Sequence, residues 1–150
     1  MTNVHTPASQ TTFPGEARHE VYAEVLQHYA RQMRMLDERD LAGYAGTFTE
    51  DGEFSHSPGR EPARTRPGIL AELEAFHEQF EADPMARRHH FSQVDVEPRP
   101  DGTIGVVCYA LVVIKRPDDP PELRASCVVH DELVRGEGGL LNRSRRVEID

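Results

Sequence analysis

Asp37 and His90 are the residues of this sequence whose types and settings best suit proton transfer. In the stretch YAEVLQHYARQMRMLDERDLAGYAGTFTEDGEF, the apolar residues Tyr22, Val25, Leu26, Tyr29, Met33 and Leu36 recur at three- and four-residue steps. That is the stripe of an amphipathic helix. Asp37 follows Met33 by four residues, so at about 100° per residue it lies on the edge of the stripe. A carboxylate there loses water and, unpaired, is driven toward its neutral form. It needs a partner. His90 is the partner expected, with a turn cap or a nearby arginine as the alternative. An imidazole held by a carboxylate has a fixed tautomer and raised basicity, as a general base requires.

The other histidines divide by the faces they share. His89 and His90 are neighbours, and neighbours on a strand point to opposite sides, so the two rings do not grip one metal ion. His90 shares a face with Ser92, Val94 and Val96; His89 shares one with Phe91, Gln93 and Asp95. The valine-bearing face is expected inside, which makes His90 the inward ring and leaves His89 a structural or interface role. His56 lies two residues after Phe54 and is expected to look inward with it. His130, with Val128 and Glu132 on its face, reads either as a second pocket group or as a histidine hydrogen-bonded within the sheet. His77, four residues after Leu73, reads as a core or rim residue. His5, His19 and His28 are expected in solvent. Tyr22, Tyr44, Phe54, Phe76, Tyr109 and His130 form the expected substrate-contacting set. No His-x-x-x-His or Cys-x-x-Cys pair occurs, so no metal is expected. Phosphate loops, dinucleotide fingerprints and nucleophile elbows are absent.

These groups must be held by elements whose order the sequence discloses. A helix is expected over residues 18–38, and a short one capped by Asp40 follows through Tyr44. The turn at 49–52 leads to a strand at 53–57, and 59–66 is irregular. A helix with Pro67 in its first turn buries Ile69, Leu70, Leu73, Phe76, His77 and Phe80 and ends at Asp83-Pro84. Strands are expected at 88–97, 103–115, 122–135 and 140–149, joined by turns rich in Pro, Gly and Asp. The strand at 103–115 is apolar at nearly every position and is expected to be covered on both faces. Helices followed by consecutive antiparallel strands make an α+β order, and a curved sheet around the helices makes a cone with a pocket at its open end.

The whole chain sets bounds. Its 150 residues suit one domain, here 18–150, with 1–17 a flexible tail rich in Thr, Ser, Pro and Gln. No apolar run reaches the roughly 18 residues of a membrane helix and no secretory signal opens the chain, so the cytoplasm is the expected location. A net charge of −9 argues against nucleic acid. Arg143, Arg145 and Arg146 are explained at least as well by a solvated strand face as by an anion site. Cys108 and Cys127, in apolar runs, read as small core residues.

The segments LDERDLAGYAGTFTEDGEF, RRHHFSQVDV, DGTIGVVCYALVV and HDELVRGEGGLLNRSRRVEID carry a resemblance. The chain resembles the SnoaL-like group of the nuclear-transport-factor-2-like superfamily. Within it, the chain is most similar to small actinomycete proteins of aromatic polyketide biosynthesis of the actinorhodin pyran-ring type, and more distantly to scytalone dehydratase. The resemblance implies a cone-shaped α+β barrel, a homodimer formed through the outer face of the sheet, no cofactor and a hydrophobic polycyclic substrate. By likeness to scytalone dehydratase, Asp37 falls on a buried aspartate, His90 on the histidine it orients, and His56 on a tyrosine that positions water. A second catalytic histidine of that enzyme falls near Val113, which is apolar. The expected activity is acid–base chemistry, a dehydration, cyclisation or epimerisation. A non-catalytic binding or dimerisation module and an epoxide-opening enzyme are the alternatives.

Overall fold

Three helices lie against one curved, unclosed six-stranded sheet in the computed structural model, which describes residues 17–56 and 59–150. The flexible tail expected at 1–17 therefore falls, all but its last residue, outside the described residues. Helix α1 is Arg18–Asp37, α2 Leu41–Ala45 and α3 Arg66–Glu78. The strands are β1 Phe48–Ser55, β2 Ala63–Arg64, β3 Ala86–Pro98, β4 Ile104–Lys115, β5 Glu122–Gly136 and β6 Gly139–Ile149. They stand in the order β2-β1-β6-β5-β4-β3, antiparallel except for β1 beside β6. The α+β expectation holds, and no helix is long and apolar enough to cross a membrane among the described residues.

Local chemistry explains the element ends. Asp40 caps α2 by accepting from the Gly43 N–H, and Thr65 caps α3 by accepting from the Gly68 N–H. Pro67 sits in the first turn of α3, where its missing N–H costs nothing. The segment 49–52, expected as a turn before a strand, is part of β1. Phe48 lies opposite Asn142 and Glu53 opposite Ser144, so these residues bow out of the parallel pairing. The two-residue β2 lies within the segment expected to be irregular.

The core has two lobes. Val21, Val25 and Tyr29 of α1 pack on Val96, Val106, Cys108, Val129 and Leu133 of the sheet. Met33 and Leu36 continue into a second cluster with Tyr44, Phe48, Phe54, Ile69 and Leu73. Val21 and Gln32 complete the buried stripe of α1, whereas Tyr22 (41% exposed) and Leu26 lie outside it. The strand β4 is covered on one face only: Val107, Tyr109 and Leu111 are exposed, against the expectation of burial on both sides. Cys108 and Cys127 are buried free thiols, and burial pushes Cys108 up to about 12.

Two β-bulges decide what faces inward. On β3, Ser92 pairs with Tyr109 but Asp95 with Val107, so β3 carries one extra residue. Gln93 takes it up with φ 49. On β6, Ser144 pairs with Glu132 but Asn142 with Leu133, a second extra residue around Arg143. An added residue reverses the alternation beyond it. In β6 both Asn142 and Arg145 are therefore buried, although strict alternation would put them on opposite faces.

Arg145 is 2% exposed and is the centre of a polar network inside the core. Its Nε and one terminal nitrogen donate to the two oxygens of Asp131 at 2.9 and 2.7 Å. Further donors reach the Tyr44 hydroxyl at 2.9 Å and Gln32 Oε1 at 2.7 Å. Tyr29 donates to Asp131 at 2.6 Å, and Gln32 donates to Thr47 and Asn142. Burial works against the charged guanidinium, and the Asp131 carboxylate, together with Tyr44 and Tyr29, more than offsets it, holding Arg145 protonated. The expectation of a solvated arginine face at 143–146 thus fails at Arg145. His28, expected in solvent, lies 2.9 Å from Asn142 Oδ1 at the network's edge, and burial lowers its pKa.

The network sets two expectations for stability. Asp131→Asn leaves a buried guanidinium without its counter-charge and is expected to cost about 3–5 kcal/mol in urea unfolding. His28 has a folded pKa below its ordinary 6.5, so the unfolded chain takes up that proton first. Its contribution is complete above about 6.5 and is lost as pH falls from there through the lower folded-state pKa. Urea midpoints should decline from pH 7.5 to 5.5, and less steeply in His28→Gln; parallel curves would contradict the assignment.

Candidate active site

Asp37 ends α1, and its stripe-edge position brings it against the start of β3. The partner it meets is His89 rather than His90. Asp37 Oδ1 lies 2.6 Å from His89 Nδ1, and the His89 backbone N–H is 3.2 Å from both carboxylate oxygens. The carboxylate accepts the Nδ1 proton, which leaves Nε2 carrying the lone pair. The assignment of His90 to the interior is thus corrected, and the cause is the bulge at Gln93. It lets Val94 and Val96 face inward together with Arg87, His89 and Phe91, and turns Arg88 and His90 out. His90 lines only the outer groove between α1 and β3.

Two hollows adjoin this pair. The groove, about 560 Å³, is bordered by Leu26, Arg34, Asp37, Arg88 and His90. The inner cavity, about 200 Å³, is walled by Phe54, Leu73, Phe76, Val112 and Val129, with Arg145 and Tyr44 among its polar residues. Met33, Arg87, His89 and Phe91 line both, so one layer of side chains divides them. A pocket for a drug-sized ligand holds roughly 300–1,000 Å³, so a polycyclic guest needs the cavity together with part of the groove.

Three imidazoles line the inner cavity: His56, His77 and His89. His56 stacks on Phe54 with ring centroids 5.0 Å apart, and its Nε2 is 3.2 Å from Glu72 Oε1. It is a second histidine–carboxylate pair, on β1 and α3. Glu72 was not singled out in the sequence because it falls off the apolar side of its helix. His77 Nδ1 donates to the Leu73 carbonyl at 2.9 Å, and burial lowers its pKa against the effect of that bond. Its ring therefore stays neutral near pH 7. Burial also raises the Tyr44 pKa, over the opposing pull of Arg145, so the phenol keeps its proton as a donor.

Of the residues expected at the site, Asp37, His56, Tyr44, Phe54 and Phe76 are brought to these hollows, and His90 reaches the outer groove. Three are not. Tyr22 is exposed on α1. Tyr109 (53% exposed) and His130 lie on the outer face of the sheet, where His130 Nε2 is 3.3 Å from Glu148 Oε1. Their strands alternate as expected, but the inward register is Cys108, Ala110, Val129 and Asp131, so their own positions face out. Sequence reasoning missed His89, Arg87, Arg145 and Glu72. One available signal was Phe91, larger than either valine and on the face of His89. Among the described residues no three His, Cys, Asp or Glu side chains converge as metal ligands.

Comparison with known proteins places the fold. The SnoaL-like domain family matches residues 17–146. ActVI-ORFA from Streptomyces coelicolor is similar at 52% identity, over 87% of this chain and 98% of that one, with a TM-score of 0.82. A Catenulispora acidiphila protein, solved in complex with S-DNPA, is 46% identical over 89% and 96% of the two chains, with a TM-score of 0.81. Aln2 from a Streptomyces species is 35% identical over 93% and 95%, also at 0.81. No curated protein matches. A putative scytalone dehydratase from Novosphingobium aromaticivorans, 17% identical over 88% and 85% with a TM-score of 0.73, shares the fold. With nearly the whole of residues 17–150 inside the matched span, the chain belongs to the SnoaL-like domain family.

Proposed function

We propose that this protein is a cofactor-independent acid–base enzyme of natural-product biosynthesis, a dehydratase, cyclase or epimerase acting in the cytoplasm on a hydrophobic polycyclic polyketide-type intermediate. The observation that carries the reading is the 2.6 Å contact between Asp37 and His89 at the wall of an aromatic-lined cavity. Asp37 holds Nδ1–H, so His89 Nε2 removes a proton next to a carbonyl, or from a hydroxyl that attacks one. His56, oriented by Glu72, or the Tyr44 hydroxyl donates to the departing or carbonyl oxygen. The likeness to ActVI-ORFA, and to a relative solved with the small molecule S-DNPA, supports a small organic guest.

The outer face of the sheet supports a homodimer in the same reading. Val107, Tyr109, Leu111 and Leu123 are exposed apolar side chains, and Val107, Tyr109 and Leu111 alternate along one side of β4. An apolar sheet face of this kind is stabilised by cover.

The catalytic reading is tested on the intermediate that accumulates in a strain lacking the gene. Asp37→Asn and His89→Ala should each lower kcat by about 10²- to 10⁴-fold with the fold retained, while His90→Ala stays near the wild-type rate. Wild-type turnover by Asp37→Asn would defeat the mechanism. If His89→Ala shifts affinity and no rate exists to lose, the protein is a binding module instead. For the dimer, Tyr109→Glu with Leu111→Glu should halve the mass measured by sedimentation equilibrium; an unchanged mass contradicts the interface.

A further inference from the structure

His77 is the one imidazole of the inner cavity to which the acid–base reading gives no task. It lies in the last turn of α3, is 9% exposed, and lines the cavity together with His56 and His89. A carbonyl oxygen only accepts, so the 2.9 Å contact with Leu73 fixes the ring proton on Nδ1 and leaves the lone pair on Nε2. Among the described residues nothing hydrogen-bonds Nε2. The ring is held in place by that carbonyl, one helical turn back, and by Phe76, packed edge to face at 5.4 Å. A buried acceptor that is fixed, unpartnered and at a cavity wall marks where a donor belongs. The electrical setting of His77 is the reverse of that of His89. His89 has the Asp37 carboxylate 2.6 Å away to offset a positive charge. The charged and titratable groups that face His77 are Arg39, from the turn after α1, and Arg87 and His89, from β3, and each opposes a proton on it. Among the described residues no carboxylate is paired with it. A proton taken up by His89 is held beside Asp37, whereas one taken up by His77 is passed on.

We propose that His77 is a second catalytic base of this site, whose Nε2 takes the proton of a hydroxyl on the guest while His89 serves the proton bound to carbon. In the step at His77 the guest O–H bond breaks, the proton goes to Nε2 and the electron pair stays on the oxygen. That oxygen adds to a carbonyl carbon of the same guest, and the carbonyl oxygen takes a proton from His56 or Tyr44. No proton is gained or lost overall, because the charged His77 returns its proton, through water, to the group that donated one. Two bases with different partners thus divide the work: His89 keeps what it abstracts, and His77 accepts and releases within one turnover. The inference deepens the acid–base reading and rests on it for there being a reaction at all.

The test uses the intermediate that accumulates in a strain lacking the gene, with His77→Asn as the principal variant. The asparagine amide keeps a donor for the Leu73 carbonyl and removes Nε2. This variant should keep its urea midpoint and KM, lower kcat by about 10²- to 10⁴-fold, and recover part of the loss when free imidazole is added. A residue that only fills space is not replaced by a small base in solution. His77→Gln, which offers an acceptor but takes no proton, should be as slow. In the wild type labelled with ¹⁵N-histidine, the assigned His77 ring should carry its proton on Nδ1 and none on Nε2 at pH 7, a measurement that does not depend on a variant folding. An unchanged kcat in His77→Asn, a loss that imidazole does not restore, or an Nε2–H or charged ring at pH 7 overturns the proposal. A wild type that turns nothing over removes it along with the acid–base reading. If Asp37→Asn keeps the wild-type rate while His77→Asn loses it, the Asp37–His89 mechanism falls and His77 stands.

Discussion

The ion pair between Arg145 and Asp131 is the constraint around which the interior is arranged. A charge taken out of water is tolerated only where opposite charge and hydrogen-bond acceptors replace the lost hydration. Every guanidinium nitrogen of Arg145 finds an acceptor, and the acceptors come from α1, α2 and β5 together. Tyr29 and Gln32 fix the rotation of α1 about its axis, because neither can reach the pair from another face of the helix. That rotation is what delivers Asp37, two turns beyond Tyr29, to the edge of β3. The polar centre of the core and the candidate site are therefore positioned by one and the same helix.

The aromatic rings make this arrangement possible. Tyr29, Tyr44, Phe48 and Phe91 surround the guanidinium at 5.1–6.0 Å, presenting ring faces to the cation while excluding water. Two of these rings, Tyr44 and Phe91, line the inner cavity together with Arg145. The cavity thus combines an apolar wall with a polar base, a combination that favours a flat, mostly carbon guest carrying a few oxygen atoms.

Much of the fold was legible because its signals are local. The three-and-four spacing of α1, the cap at Asp40, Pro67 in the first turn of α3 and the Pro- and Gly-bearing turns each act within a few residues. The strands β3 to β6 were found within two residues of their ends. What the sequence conceals is parity. An extra residue in a strand leaves composition and hydropathy unchanged, yet it inverts which side chains are inside. Counting backward from Val94 and Val96 gave His90; the bulge at Gln93 makes the inward ring His89. The same effect hid Arg145 among its neighbours in β6. Tyr109 and His130 failed for a different reason. Tyr109 lies on a strand that is apolar on both faces, where sequence alone does not distinguish a core from an outer surface, and His130 shares its face with both Val128 and Glu132, which reads either way. Asp37 was legible because a helix has no such ambiguity: its period fixes an angle.

The bulge on β3 carries a consequence for how this scaffold can be altered. Two identical rings stand side by side, one looking into the cavity and the other away, and a single inserted residue downstream determines which is which. Loss of that residue would exchange their places without changing either one. Arg87 would leave the cavity in the same motion and Arg88 would enter it, so the guanidinium and imidazole would still arrive as a pair. The twin dipeptides Arg87-Arg88 and His89-His90 survive such a frame slip in kind while Phe91 gives way to Ser92, and so give the scaffold a short mutational route by which the wall of its hollow can be re-cut.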